Sequence, residues 1–176
     1  EETGMTGARQ LREDWLKGKK LINLDTEESG VLMTGCAGAV NLKAVMKYRL
    51  DKNLPDGDEA VKLTLSGLRG GHSGMDIHLG HGNACKLMNR FLKHAVVNFE
   101  ARLASVNGGT LRNAIPRHAT AIITVPSEVV DSIIEEVNYF QMVYREEFEG
   151  IEPDLTFKAE RTELPAALLP EEVQDD

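Results

Sequence analysis

A single histidine set among glycines, Gly70-Gly71-His72-Ser73-Gly74, is a ring donor on a backbone that can bend sharply and approach another surface closely. Further along, Asn107-Gly108-Gly109-Thr110-Leu111-Arg112-Asn113-Ala114-Ile115-Pro116 carries two side-chain amides, a guanidinium and a proline-fixed turn. Such groups offer several N–H donors to a carboxylate or to an oxygen gaining negative charge. Neither segment contains an obvious nucleophile. The complementary chemistry has its candidates at Glu1, Glu2 and Asp25. Adjacent acids ahead of a helix can divide labour, one holding a metal ion and one moving a proton. Carboxylate oxygens are ordinary zinc ligands. The alternative is structural: acids there simply favour the positive end of a helix dipole.

The other chemistry-bearing residues have plainer readings. His72, His78 and His81 fall close together, but their spacing matches no familiar zinc pattern and Gly80 and Gly82 leave them on a loop. His72 alone is either an exposed donor or a loop histidine that bonds backbone. Arg112 and Asn113 are either carboxylate donors or surface residues at the start of a strand. Glu146, Glu147 and Glu149 read as a solvated helix end.

The elements that must position these groups follow from periodicity. Met5, Ala8, Leu11, Trp15 and Leu16 stand near helical spacing over residues 4–17, with Gly18 as a stop. Residues 21–24 then read as a short buried strand delivering Asp25 at its C-terminal end, where open α/β sheets gather ligand-binding groups. A domain boundary is expected in the glycine-rich passage 30–38. Alternation at 44–50 and again at 61–65, across the turn Pro55-Asp56-Gly57-Asp58, predicts a hairpin. Residues 82–95 carry a full amphipathic stripe. Strands are predicted around 99–103 and 119–125, a helix from Ser127 through Tyr144 with the serine as N-cap, and a last strand at 155–157. Strands with two interposed helices make an α+β, ferredoxin-like two-layer sandwich, preceded by a helix-strand piece of an α/β sheet.

Composition narrows the partners. The chain has 176 residues, 41% of them hydrophobic, enough for a core. Its net charge of −8, from 20 basic and 28 acidic residues, argues against nucleic acid, which requires a basic face. No apolar run approaches membrane-spanning length. Cys36 and Cys85 form neither a zinc knuckle nor a disulfide framework, so a reduced, cytoplasmic compartment is expected. The chain opens on Glu1 without an initiator methionine and closes on a charged tail, which reads as a fragment of a longer polypeptide.

Taken in order, residues 1–8 (Glu-Glu-Thr-Gly-Met-Thr-Gly-Ala), 21–28 (Leu-Ile-Asn-Leu-Asp-Thr-Glu-Glu), 35–38 (Gly-Cys-Ala-Gly), 70–74 with 76–80, and 107–117 make a specific series. The series resembles the aminoacyl-histidine (Xaa-His) dipeptidases, a carnosinase-like branch of the co-catalytic zinc peptidases, over nearly all of residues 1–150. The resemblance implies a homodimer, a dipeptide substrate such as β-alanyl-histidine, and two Zn²⁺ ions, with Co²⁺ or Mn²⁺ as substitutes. It implies that Glu1 is the general base and that Glu2 and Asp25 are metal ligands. His72 becomes a lid-domain histidine that reaches the partner subunit's site and stabilises the oxyanion. Asn113 becomes a lid residue that binds the substrate's polar groups, and Arg112 receives no role. The domains expected are 1–38, the end of a catalytic-domain segment; 39–160, the lid and dimerisation domain; and 161–176, a tail without assignment.

Part of the family pattern is missing. The His-x-Asp metal motif, a bridging aspartate and a further C-terminal histidine have no counterpart here: none of His72, His78, His81, His94 and His118 is followed two residues later by aspartate. The chain alone is therefore expected to bind zinc weakly and to be inactive. Two other classes of function stay open, a self-standing dimerisation or interaction module and a regulatory domain with the 70–74 loop as its pocket.

Overall fold

Alternation at 61–65 places Val61, Leu63 and Leu65 on one side of a strand, and alternation at 119–125 does the same for Ala119, Ala121, Ile123 and Val125; all seven are buried. The computed structural model, which describes residues 5–24, 29–35, 40 and 42–174, runs in the order α1 (Thr6–Arg9), β1 (Asp58–Ser66), β2 (Gly71–His72), α2 (Ala84–Phe99), β3 (Arg102–Gly108), β4 (Ala114–Ile115), β5 (Ala119–Pro126), α3 (Val130–Glu147), β6 (Thr156–Thr162) and α4 (Glu171–Gln174). Two compact units result, Glu1–Ala44 and Val45–Asp176.

In the second unit β3, β5, β1 and β6 form one antiparallel sheet in that order. The connectivity β1-α2-β3-β5-α3-β6 is ferredoxin-like. Leu63 stands opposite Ala121 on one side and Ala159 on the other, so small residues flank it and leave room for the helices. Helix α2 packs on β5 and α3 on β6, burying Leu87, Met88, Phe91 and Ala95 from one and Val130, Ile133, Val137 and Tyr144 from the other. Phe91 meets Phe140 and Phe157 edge-on, with ring centroids 5.2 and 5.0 Å away, the geometry that aromatic quadrupoles prefer. Helix α2 starts at Asn83, whose side chain accepts the Lys86 N–H at 3.2 Å. Ser127, expected as a helix cap, instead opens a short 3₁₀ turn, and the cap position of α3 falls to Val129, which makes no side-chain cap bond.

Tyr144 ties the helix layer together. Its hydroxyl donates to the Leu87 carbonyl at 2.8 Å, and the Arg90 guanidinium sits over its ring at 4.5 Å while also pairing with Glu147 at 2.6 Å. Burial pushes the phenol above its ordinary range, and Arg90 offsets part of that rise. The folded value is the higher one, so this stability is complete below about pH 10 and is lost as pH climbs through the folded value. Tyr144→Phe is expected to cost about 1 kcal/mol near neutrality. It should also flatten the extra alkaline loss of the parent chain, as urea melts at about pH 8 and about pH 11 would register.

Three local expectations are corrected. Of the helix predicted over 4–17, the described residues 5–17 form a single turn at Thr6–Arg9, and residues 21–24 carry no strand. Every described residue of Glu1–Ala44 is exposed, so among the described residues the apolar stripe is not buried, and propensity alone rarely sustains a short helix. The hairpin of 44–50 with β1 is also absent, because both edges of β1 are taken, by β5 and β6. Val45, Met46, Tyr48 and Leu50 stay exposed. Past β6, the tail lies along β3: the Leu169 N–H donates to the Leu103 carbonyl at 2.7 Å and Arg102 pairs with Glu171 at 2.7 Å. Among the described residues no helix is long and apolar enough to cross a membrane.

Candidate active site

Two segments far apart in sequence meet beyond the end of β1. Strand β2 pairs antiparallel with β4, setting His72 opposite Ala114 and Gly71 opposite Ile115. The Ser73 N–H then donates to the Asn113 carbonyl at 2.8 Å. The histidine loop and the asparagine loop are thus zipped together residue by residue, and both His72 and Asn113 are exposed. The asparagine loop is anchored from below by α2: the Ala84 N–H donates to the Pro116 carbonyl at 3.0 Å. The Cys85 sulfur lies so close beneath Gly108 that a Cβ there would come within 2.7 Å of it.

The His72 ring is fixed by its own loop. Its Nδ1 accepts two backbone N–H bonds, from Gly74 and from Met75, both at 3.1 Å. A ring nitrogen that accepts cannot carry the proton of a neutral imidazole, so the proton is assigned to Nε2. Asp76 locks the backbone beneath: its Oδ2 accepts the His72 N–H at 2.7 Å, and its own N–H donates to the His72 carbonyl at 2.9 Å. This packing needs glycine at 71, where φ is +142° and a Cβ would stand 2.7 Å from the Asp76 carboxylate. The result is a ring held through Nδ1 on an exposed turn. Of the two sequence readings of His72, loop bonding is the one seen, at Nδ1.

A cleft of about 470 Å³ opens alongside, lined by Gly71, Thr110, Leu111, Ala114 and Arg117 among others. Arg117 closes its floor by donating Nε to the Leu68 carbonyl at 3.3 Å. Such a site can bind a polar group through backbone and side-chain N–H donors and can stabilise negative charge.

Glu1, Glu2 and Asp25 lie outside the described residues. The three histidines do not converge on one point: His81 Nδ1–H donates to the Gly70 carbonyl, and among the described residues no three His, Cys, Asp or Glu side chains gather as metal ligands would. The described residues therefore do not by themselves fit a metal. Sequence reasoning gave no role to Asp76, though it stands in the Asp-Ile-His-Leu-Gly segment; an acid four residues past a histidine is the signal. It weighed His81 only as one of three histidines of a possible metal site.

Residues 63–148 match the family described as the peptidase dimerisation domain. Over 156 residues the chain is 46% identical to the cytosol non-specific dipeptidase of Escherichia coli strain K12, covering 88% of this chain and 32% of that protein. The aminoacylhistidine dipeptidase of Vibrio alginolyticus superposes with a TM-score of 0.76 at 37% identity, over 99% of this chain and 36% of that one. The chain thus spans about a third of the length of each relative.

Proposed function

We propose that this chain, whose residues 63–148 match the peptidase dimerisation domain family, is a piece of a metal-dependent dipeptidase acting on Xaa-His dipeptides such as β-alanyl-histidine. The observation that carries the reading is the His72 turn, an imidazole with Nδ1 occupied by two backbone donors and Nε2–H left for a ligand. The likeness to two dipeptidases supports the reaction class, and the name of the second supports histidine at the substrate's C-terminal position.

In this reading the chain is the lid and dimerisation part of the enzyme plus a short piece of its catalytic domain. Attack on a peptide carbonyl converts its oxygen into an oxyanion, and a preorganised N–H donor at that oxygen lowers the barrier. His72 Nε2–H is that donor, supplied to the partner subunit's site across the dimer. Asn113, paired through its backbone to the same turn, binds the polar groups of the substrate. Glu1 would take the proton from the attacking water, and Glu2 and Asp25 would be among the ligands of two zinc ions, whose charge would make that water more acidic. The missing ligands lie outside this chain, so the chain alone is inactive. Dimerisation itself does not need them, and the reading of the chain as a bare dimerisation module differs only in giving the longer protein no turnover.

Hydrolysis of β-alanyl-histidine, with zinc or cobalt added, tests this. The full-length protein is expected to turn over and to lose activity to a chelator, and this chain is expected to show no more activity than its Glu1→Gln variant. Glu1-dependent turnover by the chain alone would overturn the fragment reading, and an inactive full-length protein would overturn the dipeptidase reading.

A further inference from the structure

The loop that carries His72 is gripped at its neck by one buried carboxylate. Glu152, in the turn between α3 and β6, is 2% exposed. Its Oε2 accepts the Arg69 N–H at 2.7 Å, and its Oε1 accepts the Gly82 N–H at 2.8 Å. Arg69 and Gly82 are the two ends of the excursion that contains β2 and His72. One residue further in, His81 Nδ1–H donates to the Gly70 carbonyl, so the neck is tied twice. A carboxylate is costly to bury unless its oxygens are hydrogen-bonded, and here each oxygen takes one end of the loop. Charge-assisted bonds of this kind are among the stronger ones available to a backbone.

We propose that Glu152 is a positioning residue for His72. By holding residues 69 and 82 together it fixes the angle at which β2 leaves the domain, keeps β2 in register with β4, and so aims the Nε2–H. This rests on the reading of His72 as the oxyanion donor. Glu152 touches neither substrate nor the reacting atoms.

The test uses the full-length, metal-loaded dimer and β-alanyl-histidine, with Glu152→Gln, His72→Ala and the double variant compared for kcat and KM. Glu152→Gln keeps size and shape but turns one acceptor toward its backbone N–H as a donor. It is expected to lower kcat by about 100-fold, the scale of a 1 Å misplacement of a catalytic group, with KM changed less than about 3-fold. Added to His72→Ala, the same substitution should cost less than about 3-fold, because the group it positions is gone. Deuterium exchange should rise in the peptide spanning 70–80, where Gly74 and Met75 lose their hold on Nδ1, and stay unchanged in α2.

Equal losses in both backgrounds, or unchanged exchange at 70–80, would overturn the proposal. If Glu152→Gln does not fold, Glu152→Asp, which keeps both acceptors on a shorter stem, is carried through the same cycle and decides it. A wild-type kcat for His72→Ala alone would instead strike the reading of His72, while the exchange measurement still reports whether Glu152 holds the loop.

Discussion

His72→Ala in the full-length, metal-loaded enzyme is expected to lower kcat for β-alanyl-histidine by about 100- to 1,000-fold with little change in KM, the loss that follows removal of one oxyanion donor. The split between the two constants matters. A donor used only when charge develops on the carbonyl oxygen contributes to the transition state and not to ground-state binding. The ring is already held by Gly74 and Met75 through Nδ1, so no reorganisation is required as the reaction proceeds. His72→Asn retains a donor on a shorter side chain and is expected to recover part of the loss. A rise in KM with kcat intact would show that His72 merely binds substrate.

Gly67→Ala carries the largest expected effect on stability. Gly67 follows β1 directly with φ of +79°, and a Cβ there would lie 1.9 Å from the Asp154 carbonyl oxygen and 2.7 Å from its carbon. Both obstacles are backbone, so no side chain can swing aside. Left-handed strain and overpacking together are expected to cost about 3 to 5 kcal/mol. For a domain of this size that lowers the melting temperature by more than about 10 °C. Gly150→Ala is the matched control, with φ of +75° but nothing near its Cβ position. It should cost only about 1 to 2 kcal/mol of backbone strain. Equal melting temperatures for the two variants would mean that the close approach of residues 67 and 154 is not maintained in solution.

Much of the domain was legible because its elements bury their stripes within the domain. The apolar faces of α2 and α3 and the alternation of β1 and β5 each find partners among one another, so local pattern and tertiary structure agree. Residues 4–17, 21–24 and 44–50 have equally clear patterns, but their described residues are exposed, and pattern without burial does not hold a helix or strand. Of the site, the glycine-rich settings of 70–74 and 107–109 mark two segments that the fold brings together, while the roles of His72 and Asn113 rest on the family resemblance. That β2 and β4 zip these two segments together was not legible, because strands of two residues carry no periodicity. Glu152 was illegible for a different reason. It stands between Gly150 and Pro153 in an ordinary turn, and its role exists only because residues 69 and 82 come to it from a distance in sequence.

The central claim is that His72 serves a hydrolytic site across a dimer, and mixing two inactive full-length variants tests it most directly. Glu1→Gln and His72→Ala subunits, co-refolded in equal amounts with metal, form mixed dimers in which one site regains both an intact Glu1 and the partner's intact histidine. Random pairing places half the dimers in that class with one working site each, so recovery of roughly a quarter of wild-type turnover is expected. Mixed dimers that form and remain as inactive as either parent would contradict the account.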